Sequence, residues 1–525
     1  MPRVLIADKL SAHAVAVFER NGIEADVDTG LDAEALIACI GDYDGLAVRS
    51  ATQVTAAALA AAKRLKVVGR AGIGVDNIDL PAATQRGVVV MNTPFGNATT
   101  TAEHAIGMMF ALARQITAAN TSTQAGKWEK SRFMGTELSG KTLGLIGCGN
   151  IGSIVADRAH GLHMKVVAYD PYLTPERAAG LAVEKVELDS LFTRAHFISL
   201  HAPLTDNTRG IIDAAAIARM RPGVHIINCA RGGLVDEDDL AAALDSGHVA
   251  GAGFDVFVTE PARENVLFGR ANVVCTPHLG AATTEAQENV AVQVAEQMSD
   301  YLLTGAVTNA INMPSVSAEE APKLQPYLVL AEQLGSFAGQ LTETGIAAVT
   351  IAFEGHVAGL NTQPLVAAAL SGLLRPMLAE VNMVSAPILA RSRNISVTET
   401  RNQQHGDYET LIRLSLTTER QTRSVGGTLF GGDRVRIVEI KGIGIEAALA
   451  PHMLYITNND KPGVIGDLGR ALSDAGVNIA TFHLGRAEPS GDAIALLQID
   501  QPLDPEGLKA VRGLPNVIQV KPLAF

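Results

Sequence analysis

GKTLGLIGCGNIGSIVADRA, residues 140–159, decides the fold. Within it Gly147, Gly149 and Gly152 form a G-x-G-x-x-G that follows an apolar, strand-like run and opens a helical pattern. The first glycine permits a tight turn, the second lets a pyrophosphate approach the backbone, and the third lets helix and strand pack closely. The amides of the helix start then face the phosphates. Downstream, MKVVAYD predicts a strand ending at Asp170, 18 residues past Gly152, where a carboxylate accepts hydrogen bonds from a ribose 2′-hydroxyl. Pro171 follows, and no arginine stands there to pair a 2′-phosphate, so the expected cofactor is NAD rather than NADP.

Working outward, the runs TLGLIG, MKVVAY, FISLH, HIINC, GAGFDVF and NVVCT predict six strands with intervening helices, enough for a complete doubly wound dinucleotide domain. Upstream, VLIA (4–7), LAV (46–48), KVVG (66–69) and VVVM (88–91) alternate with helical patterns and predict a first parallel α/β lobe. Helical spacing over 101–114 joins the two lobes, and a longer helical stretch, 283–303, leaves the second. If that helix returns to pack on the first lobe, the first lobe is discontinuous and a cleft lies between the two. Beyond residue 318 a helix at 325–343, the strand AVTIAFEG, a helical region at 364–390 and strands at LIRLSLTT and DRVRIVEI suggest an α+β module. The last stretch reads βαββαβ, the ferredoxin-like order. The expected division is 1–97 with 284–316, then 98–283, 317–450 and 451–525.

Composition agrees with this reading. A chain of 525 residues is too long for one core at about 150 residues per domain. Its net charge of −13, with no basic run, argues against nucleic acid as a partner, and 47% hydrophobic with 18% charged residues suits a globular chain. The four cysteines, Cys39, Cys148, Cys229 and Cys275, have no spacing typical of a metal site or a redox pair, which suggests a reducing, cytoplasmic setting. MPRVLIAD begins a strand at Val4, so no signal peptide is expected. No membrane span is expected either, because the apolar region 365–390 is broken by Arg375 and Asn382.

Three polar residues fall at or just after predicted strand ends, where open parallel sheets bind ligands: Arg231 in NCARGG, Glu260 in DVFVTEP and His278 in TPHLGAAT. Hydride transfer between a 2-hydroxy acid and a nicotinamide needs a base for the hydroxyl, a cation for the carboxylate or carbonyl, and a group that orients the base. Histidine suits the first role, arginine the second through its bidentate fork, and a carboxylate the third.

With VRSATQVT, GRAGIGVDNID, MNTPFGN, GTELSGKTLGLIGCGNIG, HAPLTDNT, NCARGGLVDEDDLAAALDSG, GFDVFVTEP and PHLGAAT, the chain up to about residue 315 resembles the D-isomer-specific 2-hydroxyacid dehydrogenase family. The resemblance implies that His278 exchanges the proton at C2, that Glu260 is its partner and that Arg231 binds and polarises the substrate. It implies NAD contacts from Ile73, Gly147, Gly149, Asn150, Ile151, Gly152, Asp170, Ala202, Cys229, Ala230, Arg231, Asp255, His278, Gly280 and Ala281, with Asp255 near the carboxamide. Ile73 stands where related sequences often carry a hydroxyl residue, which leaves only a backbone contact there. A substrate phosphate would need local cations in an acidic chain. Arg49 leads, with Ser50, Gly72 and Gly74, while Lys130 and Arg132 read either as further ligands or as a solvated loop; in this family that loop can reach a neighbouring subunit. Trp128 reads as a packing or interface residue.

The remainder distinguishes this chain from shorter family members. YITNNDKPGVIGDLGRALSDAGVNIATFHLGR resembles an ACT domain, and VGGTLFGGDRVRIVEIKGIGIEA resembles the intervening, allosteric substrate-binding domain of long members. By that resemblance Asn458, Asp460 and Asn478 fall at L-serine contacts, although NNDKPG also reads as a turn and helix cap. GGTLFGG reads as a hairpin turn, since no Lys-Ser/Thr follows to make a phosphate loop. The expected architecture is two doubly wound α/β lobes, a discontinuous substrate domain and a Rossmann NAD domain, followed by an α+β domain and a ferredoxin-like ACT domain. The expected activity is NAD-dependent oxidation of 3-phospho-D-glycerate to 3-phosphohydroxypyruvate in L-serine synthesis, with L-serine feedback and a homotetrameric assembly. Alternatives are a glyoxylate or hydroxypyruvate reductase, and an NAD(H)-sensing interaction protein.

Overall fold

The computed structural model describes residues 1–525 except 318, 379, 380, 405, 489 and 490. Its first sheet is wholly parallel, with strands β1 (Arg3–Ile6), β2 (Glu24–Val27), β3 (Gly45–Val48), β4 (Val67–Arg70) and β5 (Val89–Asn92) in the order β2-β1-β3-β4-β5. Every residue of β3 and β5 is buried, which is why each reads as an apolar run. EADV in β2 was not expected as a strand, because an edge position leaves it half exposed and polar.

The second sheet holds β6 (Thr142–Ile146), β7 (Lys165–Tyr169), β8 (Glu184–Lys185), β9 (Phe197–Leu200), β10 (Val224–Asn228), β11 (Val249–Phe254) and β12 (Val273–Cys275). Their order, β12-β11-β10-β9-β6-β7-β8, reverses between β6 and β9, the switch point at which a doubly wound sheet takes its ligand. The six expected strands are present. The seventh, β8, is a two-residue exposed edge with no apolar signal.

Two helices cross between the lobes. Helix Ala98–Ala113 buries Ala102, Ala105 and Met109 against the second lobe. Helix Thr284–Thr304 leaves the second lobe and returns to the first, as expected for a discontinuous lobe. Its Met298 lies so close to β4 that a Cβ on Gly69 would stand 2.3 Å from the sulfur. Asn312 then ties the returning chain to β5, accepting from the Val90 N–H at 2.9 Å.

The third sheet has the order β14-β13-β15-β16-β17-β18, with β13 (Ile346–Gly355), β14 (Ser396–Asn402), β15 (Thr410–Thr418), β16 (Thr422–Phe430), β17 (Arg434–Ile440) and β18 (Ile443–Ala447). It is antiparallel apart from the β13–β14 pair. Helices Ala321–Gln340 and Gln363–Leu374 cross at glycines: a Cβ on Gly335 would meet Ala369 O at 2.0 Å, and one on Gly372 would meet Glu332 O at 2.0 Å. In the helical region expected over 364–390, positions 379 and 380 lie outside the described residues, and helix Ala386–Ser392 follows them. GGTLFGG is a turn only at its end. Gly426 and Gly427 belong to β16, and a Cβ on Gly427 would stand 2.9 Å from Leu330, so this glycine admits the helix; the bend is at Gly431 and Gly432.

The last sheet, β20-β21-β19-β22, is built from β19 (Met453–Asn459), β20 (Ile479–Arg486), β21 (Asp492–Ile499) and β22 (Val517–Leu523). Helices Val464–Asp474 and Pro505–Arg512 complete the expected βαββαβ order. Tyr455 of β19 is fully buried edge-on against Phe337, and Phe525 stacks on the same ring. Among the described residues, no helix is long and apolar enough to cross a membrane.

Candidate active site

The glycine loop sits at the switch point, between the ends of β6 and β9. Gly147 has φ +92°, and a Cβ on it would stand 2.6 Å from His201 O; one on Gly152 would stand 2.3 Å from Gly147 O. A Cβ on Gly149 would meet nothing within 4 Å, so its face is open to a ligand. Helix Asn150–Gly161 begins here with no side chain capping its first amides, which leaves them to an anion. Asp170 ends β7 and accepts from the Cys148 N–H and the Tyr172 N–H, both at 2.8 Å, so it also holds the glycine loop to the next strand. Beneath the loop, desolvation pushes the half-buried His201 down to about 4, and its Nε2 contacts Ser199 Oγ at 2.9 Å. Cys229 and Ala230 are buried after β10, and burial pushes the Cys229 thiol up. Ile73 O accepts from Asn92 Nδ2 at 2.6 Å, and Asn150 Nδ2 reaches Pro94 O of the first lobe at 3.4 Å. These donors and openings fit a dinucleotide.

His278 and Glu260 meet at the mouth of the same lobe, with Nδ1 2.6 Å from Glu260 Oε2. This hydrogen bond raises the imidazole above its ordinary value against the pull of desolvation, and the charge of Asp255 adds to it. Burial pushes the Glu260 carboxyl up, but hydrogen bonds from His278 and the Phe257 N–H outweigh it and leave the group below its ordinary value. His278 has φ +56°, in the left-handed region. Asp255, fully buried just past β11, holds it there. Its backbone oxygen accepts from the His278 N–H at 2.9 Å, and its carboxylate accepts from Thr276 Oγ1 (2.5 Å), the Leu279 N–H (2.7 Å) and the Gly280 N–H (2.8 Å). His104 of the crossing helix adds a contact at 3.3 Å. The Asp255 carboxylate is thus occupied in building the loop that carries His278, Gly280 and Ala281.

Across the cleft the first lobe presents cations. Arg49 follows β3, and its loop is clamped from two sides. Asp8, just past β1, accepts from the Arg49 N–H (2.6 Å), the Thr52 N–H (3.2 Å) and Thr52 Oγ1 (2.7 Å), while Asn77 Nδ2 donates to Arg49 O at 2.8 Å. Arg70, the last residue of β4, lies one residue past the predicted strand KVVG, and its sequence signal is a charge ending an apolar run. Desolvation, then the charges of Arg231 and Arg49, lower it to about 10, and its buried Nε has no hydrogen-bond partner. A Cβ on Gly72 would strike this guanidinium, and one on Gly74 would strike that of Arg231. The two glycines therefore make room for cations. The charges of Arg231 and Arg49 both act against that of Arg70, and an anion bound there relieves the repulsion. Ser50 lies exposed beside Arg49. Arg132, by contrast, pairs with Glu129 at 3.0 Å and lies over Phe133, so its guanidinium is engaged within its own loop. Lys130 sits exposed on the same helical turn.

The three effector candidates are not brought together within one chain. Asn458 and Asp460 close β19, whose end pairs with the start of β21, whereas Asn478 precedes β20, whose start pairs with the end of β21. Asn478 therefore lies at the other end of the sheet, roughly 20 Å away by strand rise, hydrogen-bonded to Asp500. Asp460 pairs with Arg486 at 3.0 Å, and the buried Asn458 Oδ1 has no partner.

Three stretches of the chain match known domains. Residues 106–280 match the NAD binding domain of D-isomer specific 2-hydroxyacid dehydrogenases, 323–441 the D-3-phosphoglycerate dehydrogenase intervening domain, and 452–516 the ACT domain. The chain is 43% identical over 527 residues to D-3-phosphoglycerate dehydrogenase of Synechocystis sp., covering 99% of this chain and 95% of the relative. It is 41% identical over 523 residues to that of Bacillus subtilis, covering 99% of each. A crystal structure of a glyoxylate reductase from Paecilomyes thermophila is 30% identical with a TM-score of 0.56, covering 59% of this chain and 98% of its own.

Proposed function

Because the chain belongs to the D-isomer-specific 2-hydroxyacid dehydrogenases, as a long member of D-3-phosphoglycerate dehydrogenase type, we propose that it oxidises 3-phospho-D-glycerate to 3-phosphohydroxypyruvate. It is an NAD-dependent dehydrogenase of D-2-hydroxy acids. The phosphorylated substrate, the opening position in L-serine synthesis, feedback by L-serine through the ACT domain and a homotetrameric assembly are our reading, as is the division at 1–97 with 284–316, 98–283, 317–450 and 451–525. Supporting the phosphorylated substrate is the cluster of Arg49, Arg70 and Arg231 in a protein of net charge −13.

Bound NAD, held at the glycine loop, Asp170 and the residues around Ile73, Ala202, Cys229 and Ala230, supplies the hydride acceptor. His278 offers Nε2, the ring nitrogen left over by Glu260, and takes the C2 hydroxyl proton in oxidation or returns it in reduction. Glu260 keeps the ring oriented and stabilises its charged form. Arg231 holds the carboxylate and polarises the carbonyl, and Arg49 with Arg70 receives the phosphate.

A substrate panel with NADH tests this. Catalytic efficiency on 3-phosphohydroxypyruvate should exceed that on hydroxypyruvate, and equal efficiency would sink the phosphate reading in favour of a hydroxypyruvate reductase. Arg49→Ala should cost the phosphorylated substrate roughly 10–100-fold in kcat/KM, the worth of one charge-assisted contact, and the unphosphorylated one far less. Calorimetry with L-serine on the full-length protein, followed by inhibition assays, decides the feedback.

A further inference from the structure

Arg231 belongs to the second lobe, yet its guanidinium is set from across the cleft. Nε donates to Asp76 Oδ2 at 3.0 Å, and Nη1 donates to Ala230 O at 2.7 Å. Asp76 comes from the first lobe, in the loop after β4, and its side chain is 76% exposed. It is therefore no part of a core whose loss would unfold the lobe, and an exposed ion pair adds little to stability. Gly74 gives this pair its space: a Cβ there would stand 2.9 Å from Asp76 Oδ2 and collide with Arg231 Nη2. Arginine has five N–H donors in a rigid fork. With Nε taken by Asp76 and one Nη1 hydrogen taken by Ala230, the fork cannot rotate freely, and the Nη2 edge is the one left for a ligand.

The geometry points to Asp76 as a positioning residue for hydride transfer: it orients the Arg231 fork so that the Nη2 edge meets the carboxylate and carbonyl of the 2-hydroxy acid. This rests on the reading of Arg231 as the group that binds that acid. Because Asp76 and Arg231 sit on opposite lobes, the orientation holds only at the lobe separation that brings them together. Asp76 also faces Arg70 and offsets the cluster's positive charge. The two roles separate in kinetics, since loss of orientation lowers kcat, whereas loss of a negative charge strengthens attraction of an anion and lowers KM.

Asp76→Asn in the full-length protein, assayed with NADH and 3-phosphohydroxypyruvate, should lower kcat about tenfold, the scale of a small misplacement at a reacting centre. KM for the acid should stay equal or fall, NADH affinity by nucleotide fluorescence and the melting temperature should not change, and Asp76→Glu should recover part of kcat. An unchanged kcat would overturn the assignment, and so would an effect confined to a raised KM. Arg231→Ala is measured in parallel. If it is crippled while Asp76→Asn is normal, the positioning role alone fails; if it is fully active, the reading of the site fails with it.

Discussion

His278 shows how much one residue depends on its neighbours. Its left-handed backbone is a costly conformation for a side chain with a Cβ, of order 1–3 kcal/mol, and four hydrogen bonds to Asp255 around it keep the loop there. The Glu260 hydrogen bond raises the imidazole above its ordinary 6.5. With the role proposed for His278, the protonated ring is the acid in reduction, so kcat/KM should fall as pH rises through a midpoint above 6.5. Glu260→Gln should move that midpoint down toward 6.5 and lower kcat, and a pH–rate profile of both proteins checks it. The glycines separate in the same way. Gly152→Ala places a methyl 2.3 Å from Gly147 O, backbone that cannot swing aside, so melting temperature and NADH affinity should both fall. Gly149→Ala should melt normally and lose NADH affinity alone, because its methyl meets no protein atom within 4 Å and stands on the open face of the loop. Thermal melts with fluorescence titration distinguish the two.

At the scale of elements, the reacting groups are displayed by strand ends and held by side chains from other strands. Asp8, two residues past β1, is the clamp for the loop after β3, where Thr52 is only 5% exposed. Asp8→Ala leaves the buried Thr52 amide without its acceptor and the Thr52 hydroxyl with only the longer bond to Ala7 O at 3.3 Å, a loss of about 1–3 kcal/mol. Urea unfolding should show that loss, and KM for the phosphorylated acid should rise with NADH affinity unchanged. Strand legibility followed burial. The strands β1, β3 to β5, β6, β7, β9 and β10 carry mostly buried residues and read directly, whereas β2 is a half exposed edge and β8 and β14 are exposed edges, all with polar residues and no periodic signal. Arg70 escapes the pattern for a related reason, since hydropathy ends a strand before the charge at its tip.

For the whole molecule, the intervening and ACT domains share a core. Met453, Tyr455, Ile494, Leu496 and Leu523 lie in one cluster with Phe337 and Leu341, and Gln340 is hydrogen-bonded to Ala524 in both directions. Removing the ACT domain therefore strips apolar cover from helix Ala321–Gln340 as well as any effector site. A chain ended at residue 451 should melt lower and tend to aggregate, as calorimetry and light scattering would report. A chain ended at 317 keeps the residues of both α/β lobes, a length comparable to the 59% of this chain covered by the shorter reductase, and should retain NADH-dependent turnover.

What the sequence by itself determined are the features whose cause lies within a few residues: the glycine turn, the strand before it, Asp170 behind the next strand, and the arginine, glutamate and histidine at strand tips. Such features depend on local backbone conformation and hydropathy, which neighbouring side chains encode. Only the tertiary structure decided that Asp76 meets Arg231 across 155 positions, that Asp8 secures Arg49 across 41, and that Asn478 stands away from Asp460. Parallel crossovers return strand tips from distant segments to one edge, and an antiparallel sheet sends sequence neighbours to opposite ends. Proximity in the site is therefore a property of topology, which no local pattern carries.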